Sequence, residues 1–83
     1  MRLREEVSAT DTEYGTVLLD ERSGRYYQLS ATAKAVVTSL GADGSVEAAV
    51  ASLTGRFAVD ESTAQRDVRA LIERLRAAGL VTE

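Results

Sequence analysis

Apolar positions near the start of the chain fall at even offsets. Leu3, Val7 and Ala9 punctuate an otherwise polar stretch and predict a first strand over about Glu5 to Asp11. A polar corner, Asp11-Thr12-Glu13, then leads to Gly15, where a second strand begins with the apolar run Val17-Leu18-Leu19. Asp20 to Gly24 turns the chain, and Gly24 supplies a residue for which positive φ carries no steric cost. Arg25 to Leu29 returns as a third strand, carrying the adjacent pair Tyr26 and Tyr27 and no proline. Three consecutive strands with short connections most simply form an antiparallel meander.

At Ser30 the period changes from two to about 3.6. Ser30 is suited to cap a first helix whose apolar positions are Ala33, Val36, Val37 and Leu40, with Gly41 and Gly44 as its stop. Ser45 caps a second, in which Val46, Ala49, Val50 and Leu53 repeat the pattern and Gly55 lies near the end. Phe57 and Val59 are placed to plug the next connection into the core. The third helix is the longest. Asp60 is its expected N-cap, and Glu61 stands in the first turn, where the helix dipole favours negative charge. Its apolar arc comprises Ala64, Val68, Leu71, Ile72, Leu75 and Ala78. Gly79 ends it, and Leu80 is positioned to fold back on the last turn. Gln65, Arg69 and Arg76 border the arc on one side; Asp67, Arg74 and Ala78 border it on the other. A groove beside this helix has an apolar floor and a charged rim.

Composition narrows what such a chain does. Its 83 residues make one domain, residues 1–83, with 45% hydrophobic and 28% charged residues, as expected of a globular protein. Cysteine and histidine are both absent, which removes the disulfide frame, the thiolate nucleophile, the usual general base and the commonest metal ligands. An enzyme would depend on carboxylates, tyrosines, serines or Lys34, so no catalytic residue, metal site or cofactor is expected. A net charge of −3 argues against nucleic acid as a partner. No apolar run approaches the roughly 20 residues of a membrane span, and MRLREEVSA lacks a signal-peptide core. The expected location is the cytoplasm.

Two features invite a functional reading. Adjacent tyrosines in a strand point to opposite faces, so at least one of Tyr26 and Tyr27 lies outside the central core. Their plain role is cross-strand packing. The sharper one makes Arg25 to Leu29 an unpaired edge whose free N–H and C=O groups accept an extended peptide. Likewise Val68, Leu71, Ile72 and Leu75 are core by default, yet an arc this wide can pack on a sheet and leave its margin to a ligand. Arg66, Arg69, Arg74 and Arg76 invite comparison with a DNA-recognition helix. They are dispersed around the helix, and Glu73 is spaced to pair with Arg69 and Arg76, which favours a solvated face. Asp11, Glu13, Asp20 and Glu21 are expected to be solvated turn carboxylates.

The order of three segments is informative: VLLDERSGRYYQLS, then AKAVVTSL in a capped helix, then DVRALIERLRAAGLV. Together they resemble the PqqD-like family, and more narrowly the standalone recognition elements of lasso-peptide biosynthesis. The resemblance extends from about Val7 to Val81 and is most specific at Leu18 to Asp20, at Gly24 to Ser30 and in the closing AAGLV. Ser30 stands where many relatives have asparagine; either residue caps a helix. The resemblance implies an α+β, winged helix-turn-helix-like domain of three antiparallel strands followed by three helices. It implies a nonenzymatic adaptor for the leader segment of a ribosomally made precursor peptide, with a separate leader peptidase and a cyclase as partner enzymes. The leader would add beside Arg25, Tyr26, Tyr27, Gln28 and Leu29 and lie against Asp67, Val68, Leu71, Ile72, Arg74 and Leu75. The alternatives are a PqqD-type chaperone for another modifying enzyme and a winged-helix transcription factor.

Overall fold

In the computed structural model, which describes residues 1–42 and 44–82, short strands near the two ends pair with each other beside a meander and three helices. The elements in chain order are β1 (Arg2–Leu3), β2 (Val7–Thr12), β3 (Gly15–Asp20) and β4 (Arg25–Leu29). There follow α1 (Ala31–Ala42), α2 (Val46–Arg56), α3 (Glu61–Ala77) and β5 (Val81–Thr82). The main sheet has the order β2-β3-β4 and is antiparallel throughout, so β4 is one of its edges and β2 the other.

Register assigns each strand residue a face. Ala9 pairs with Leu18 and Leu18 with Tyr27; Asp11 pairs with Thr16 and Thr16 with Leu29. These rows turn toward the helices, with Leu18 fully buried at 0% exposure. The alternate rows, including Leu19 opposite Tyr26, lie on the other face. Val7, Leu18 and Leu29 join Ala35, Val36 and Leu40 of α1, Ala49, Val50 and Leu53 of α2, and the arc of α3 in one core. Phe57 and Val59 pack against it partly buried, as expected of plugs in the connection.

The helices begin where short polar side chains replace missing backbone acceptors. Ser30 Oγ accepts from the Ala33 amide at 3.2 Å, Ser45 Oγ from Ala48 at 3.1 Å and Asp60 Oδ1 from Thr63 at 2.7 Å. At the end of α3, Gly79 takes φ +71°, the Leu80 amide donates to Leu75 O and the Gly79 amide to Arg76 O, each at 3.0 Å. This glycine-terminated geometry swings Leu80 back onto the core, where it is 1% exposed.

The elements and their pairings depart from the sequence expectation in four places. The first strand of the meander is β2, Val7–Thr12 rather than Glu5 to Asp11. The Val7 amide donates to Arg4 O at 3.0 Å, so Glu5 and Glu6 form a turn. The pairing of β1 with β5 is additional to the three expected strands. Gly41 lies inside α1 instead of stopping it, a cost of about 1 kcal/mol for a helical glycine that packing absorbs, whereas Gly55 lies near the end of α2 as expected. Finally, Arg69 and Glu73 form no ion pair; among the described residues the ion pairs are Arg22–Asp20 and Lys34–Asp11.

Candidate functional site

Among the described residues β4 is hydrogen-bonded as a strand to β3 alone, so its outer edge is open to another strand. Three of its residues, Arg25, Tyr27 and Leu29, share the face that looks toward α3. Leu29 is buried, Tyr27 half-buried and Arg25 exposed, a gradient that opens from Leu29 to Arg25. Tyr26 lies on the opposite face and is 72% exposed. The tyrosine pair therefore divides between faces as the alternation predicts. Gln28, also outward, is anchored through its side-chain amide to Tyr14 O at 3.2 Å.

α3 presents a stripe to this edge. Asp67, Ala70, Leu71, Arg74, Ala77 and Ala78 recur at spacings of three and four and line the space between helix and strand. Alanine at 70, 77 and 78 keeps the stripe shallow, so the helix does not close onto β4. The central groove has a volume of about 630 Å³, floored by Leu18, Leu71, Leu75 and Leu80 and walled by Arg25 to Leu29, Arg74, Ala77 and Ala78. It continues at one end into a recess of about 190 Å³ bounded by Asp67, Leu71, Arg74 and the first turn of α1 from Ser30 to Ala33. At the other end it meets a shallower hollow of about 420 Å³ beside Asp20, Arg22, Ser23 and Arg25.

Of the residues singled out in the sequence, Arg25, Tyr26, Tyr27, Gln28, Leu29, Leu71, Arg74 and Leu75 line the central groove, and Asp67 lines the recess. Val68 and Ile72, 0% and 8% exposed, belong to the core and line neither space. Sequence reasoning missed Ala70, Ala77 and Leu80 as lining residues. The signal was present: Ala70 and Ala77 extend the spacing of Asp67 and Arg74 along the same border. On the opposite border Gln65 and Arg69 face α2 across a separate hollow of about 380 Å³.

The end of the groove near Arg25 is held by a charged clasp. Asp20, expected to be solvated, is 3% exposed. Its Oδ1 accepts from the Arg22 amide at 3.0 Å and lies 3.4 Å from Arg22 Nε. Burial works against the charged form, but the hydrogen bonds from Arg22, with the guanidinium charge, outweigh it and hold the carboxyl below the ordinary aspartate value. Arg22 also donates to Gly79 O at 2.8 Å, and Arg4 Nε reaches the same carbonyl at 3.0 Å. The hairpin turn, the chain start and the end of α3 are thereby tied at one point.

At the Ser30 end, Asp11 accepts from Lys34 Nζ and Thr16 Oγ1, both at 2.8 Å. These bonds lower its pKa. Among the described residues no His, Cys, Asp and Glu side chains are grouped to hold a metal ion. No described helix is long and apolar enough to cross a membrane.

These features define a winged-helix-like α+β domain with an open strand edge facing an apolar, charge-rimmed groove. The chain belongs to the PqqD family: the model of coenzyme PQQ synthesis protein D (PqqD) matches residues 15–81. It is similar in structure to a lasso peptide synthetase B1 solved with the leader peptide, with a TM-score of 0.89 and 40% identity over 99% of this chain and 96% of that one. It is also similar to TbiB1 in complex with the TbiA(beta) leader peptide, with a TM-score of 0.81 and 27% identity over 96% and 93% of the two chains. No curated protein sequence matches this one.

Proposed function

We propose that this chain is a nonenzymatic adaptor of lasso-peptide biosynthesis that binds the leader of a precursor peptide and delivers it to a separate leader peptidase. The observation that carries this reading is the open edge of β4 set across a groove from the α3 stripe. An extended leader adds there as a fourth strand. Its backbone pairs with Arg25 to Leu29, and alternate side chains descend toward Leu71, Arg74 and Leu75. Main-chain bonds supply sequence-tolerant affinity, and the groove supplies selection among leaders. The family description names coenzyme PQQ synthesis. Both structural neighbours, at 40% and 27% identity, are complexes with leader peptides, and the first, a lasso peptide synthetase B1, favours the lasso assignment.

The chemistry belongs to partner enzymes, a leader-cleaving peptidase and a cyclase, in the cytoplasm. With no histidine or cysteine in the sequence, this chain lacks the usual nucleophile–base pair for cutting an amide. It acts by making the meeting of peptidase and scissile bond effectively intramolecular. Precursor cleavage followed by mass spectrometry, with peptidase, this chain or both, tests the proposal. The expected result is an intact precursor with this chain alone, slow cleavage by the peptidase alone at dilute precursor, and strong acceleration with both. The acceleration shrinks as precursor approaches saturation. Full peptidase activity without this chain at dilute precursor would contradict delivery.

A further inference from the structure

The groove is not electrically uniform. Among the described residues its central part is lined by two guanidiniums, Arg25 and Arg74, and by no carboxylate, although the chain as a whole carries a net charge of −3. Among the described residues, Asp67 is the one acidic side chain bordering the recess at the Ser30 end. The side chains of Arg25, Asp67 and Arg74 make no ion pair or hydrogen bond among the described residues. By contrast, Asp20 beyond the Arg25 end is engaged by Arg22, so it does not neutralise Arg25.

From this, and resting on the leader-binding reading above, we infer that the groove reads charge order. The bound leader presents a basic side chain to Asp67 and, further along, an acidic side chain to Arg74 and Arg25. Seven residues of helix separate Asp67 from Arg74, a rise of about 10 Å. An extended chain covers that in roughly three residues. Side chains that descend on the same face are an even number of positions apart, so the two charges stand about two or four residues apart. Antiparallel addition continues the pattern of the sheet and is the slightly more stable pairing. The guest strand then runs from the Leu29 end of β4 to the Arg25 end, which sets the order as basic first and acidic second. The rest of the precursor leaves the groove beside the turn at Asp20 to Gly24.

The probe is the leader peptide bound by the 40%-identical B1, made as a fluorescent series with each position replaced in turn by Glu and by Lys. Affinities are measured by anisotropy at low salt for the parent chain, Arg25→Glu, Arg74→Glu and Asp67→Lys. In the parent, one position is expected to favour Glu over Lys by about fivefold, the upper range for exposed ion pairs. A second position, two or four residues nearer the leader's amino end, favours Lys over Glu. Arg74→Glu or Arg25→Glu abolishes the first preference, and Asp67→Lys inverts the second. Equal tolerance of Glu and Lys throughout, preferences unmoved by the reversals, or the opposite order would overturn charge reading while leaving the leader site intact. Failure of the parent chain to bind the leader would remove the leader-binding reading and this inference together.

Discussion

Asp20 is the residue whose surroundings depart furthest from what its neighbours in sequence suggest. Within Asp20-Glu21-Arg22-Ser23-Gly24 it looks like one of several solvated turn charges, yet the register of β3 sends it inward with Thr16 and Leu18. The burial follows from alternation, but the partner is Arg22, two residues on, and no periodicity announces it. Because its folded pKa lies below the unfolded value of about 3.9, its stabilisation is complete above that range. It is lost as pH falls through the folded pKa. Asp20→Asn should therefore lower the melting temperature at neutral pH, with the gap from the parent narrowing as pH drops below about 4. Thermal melts across that range provide the check, and a gap independent of pH would contradict the assignment.

At the scale of elements, β4 and the caps of all three helices were legible because each rests on a local rule. Aromatic strand chemistry after the Gly24 turn marks Arg25–Leu29, and Ser30, Ser45 and Asp60 each precede an amphipathic run. The β1–β5 pair was not legible. Two residues at each end carry no period, and their meeting depends on where α3 delivers Val81. The groove was legible in part. The Asp67–Arg74 border was readable from helical spacing, whereas its depth comes from alanines that propensity treats only as good helix formers. That depth is testable at Ala77, which is exposed and touches the groove without joining the core. Ala77→Phe should fill the space beside Tyr27 and weaken leader binding by tenfold or more, with thermal stability almost unchanged. Calorimetric titration alongside a melting curve separates the two effects, and undiminished affinity would place the leader elsewhere.

The whole molecule divides its labour between two layers. The helices bury the inner face of the sheet and fix α3, while β4 keeps one edge free for pairing. The clasp of Arg4 and Arg22 on Gly79 O holds the hairpin turn against the end of α3, which preserves the width of the groove when empty. A preformed site of this kind spends little binding energy on ordering itself. Among the described residues the other sheet edge, β2, is equally unpaired. The choice between two edges is thus the central claim. Residue-resolved amide hydrogen exchange, with and without saturating leader peptide, decides it. The account predicts slowed exchange at alternate amides of Arg25 to Leu29 and unchanged exchange along Val7 to Thr12. Slowing along Val7 to Thr12 instead, or leader binding that leaves the β4 amides unprotected, would contradict it.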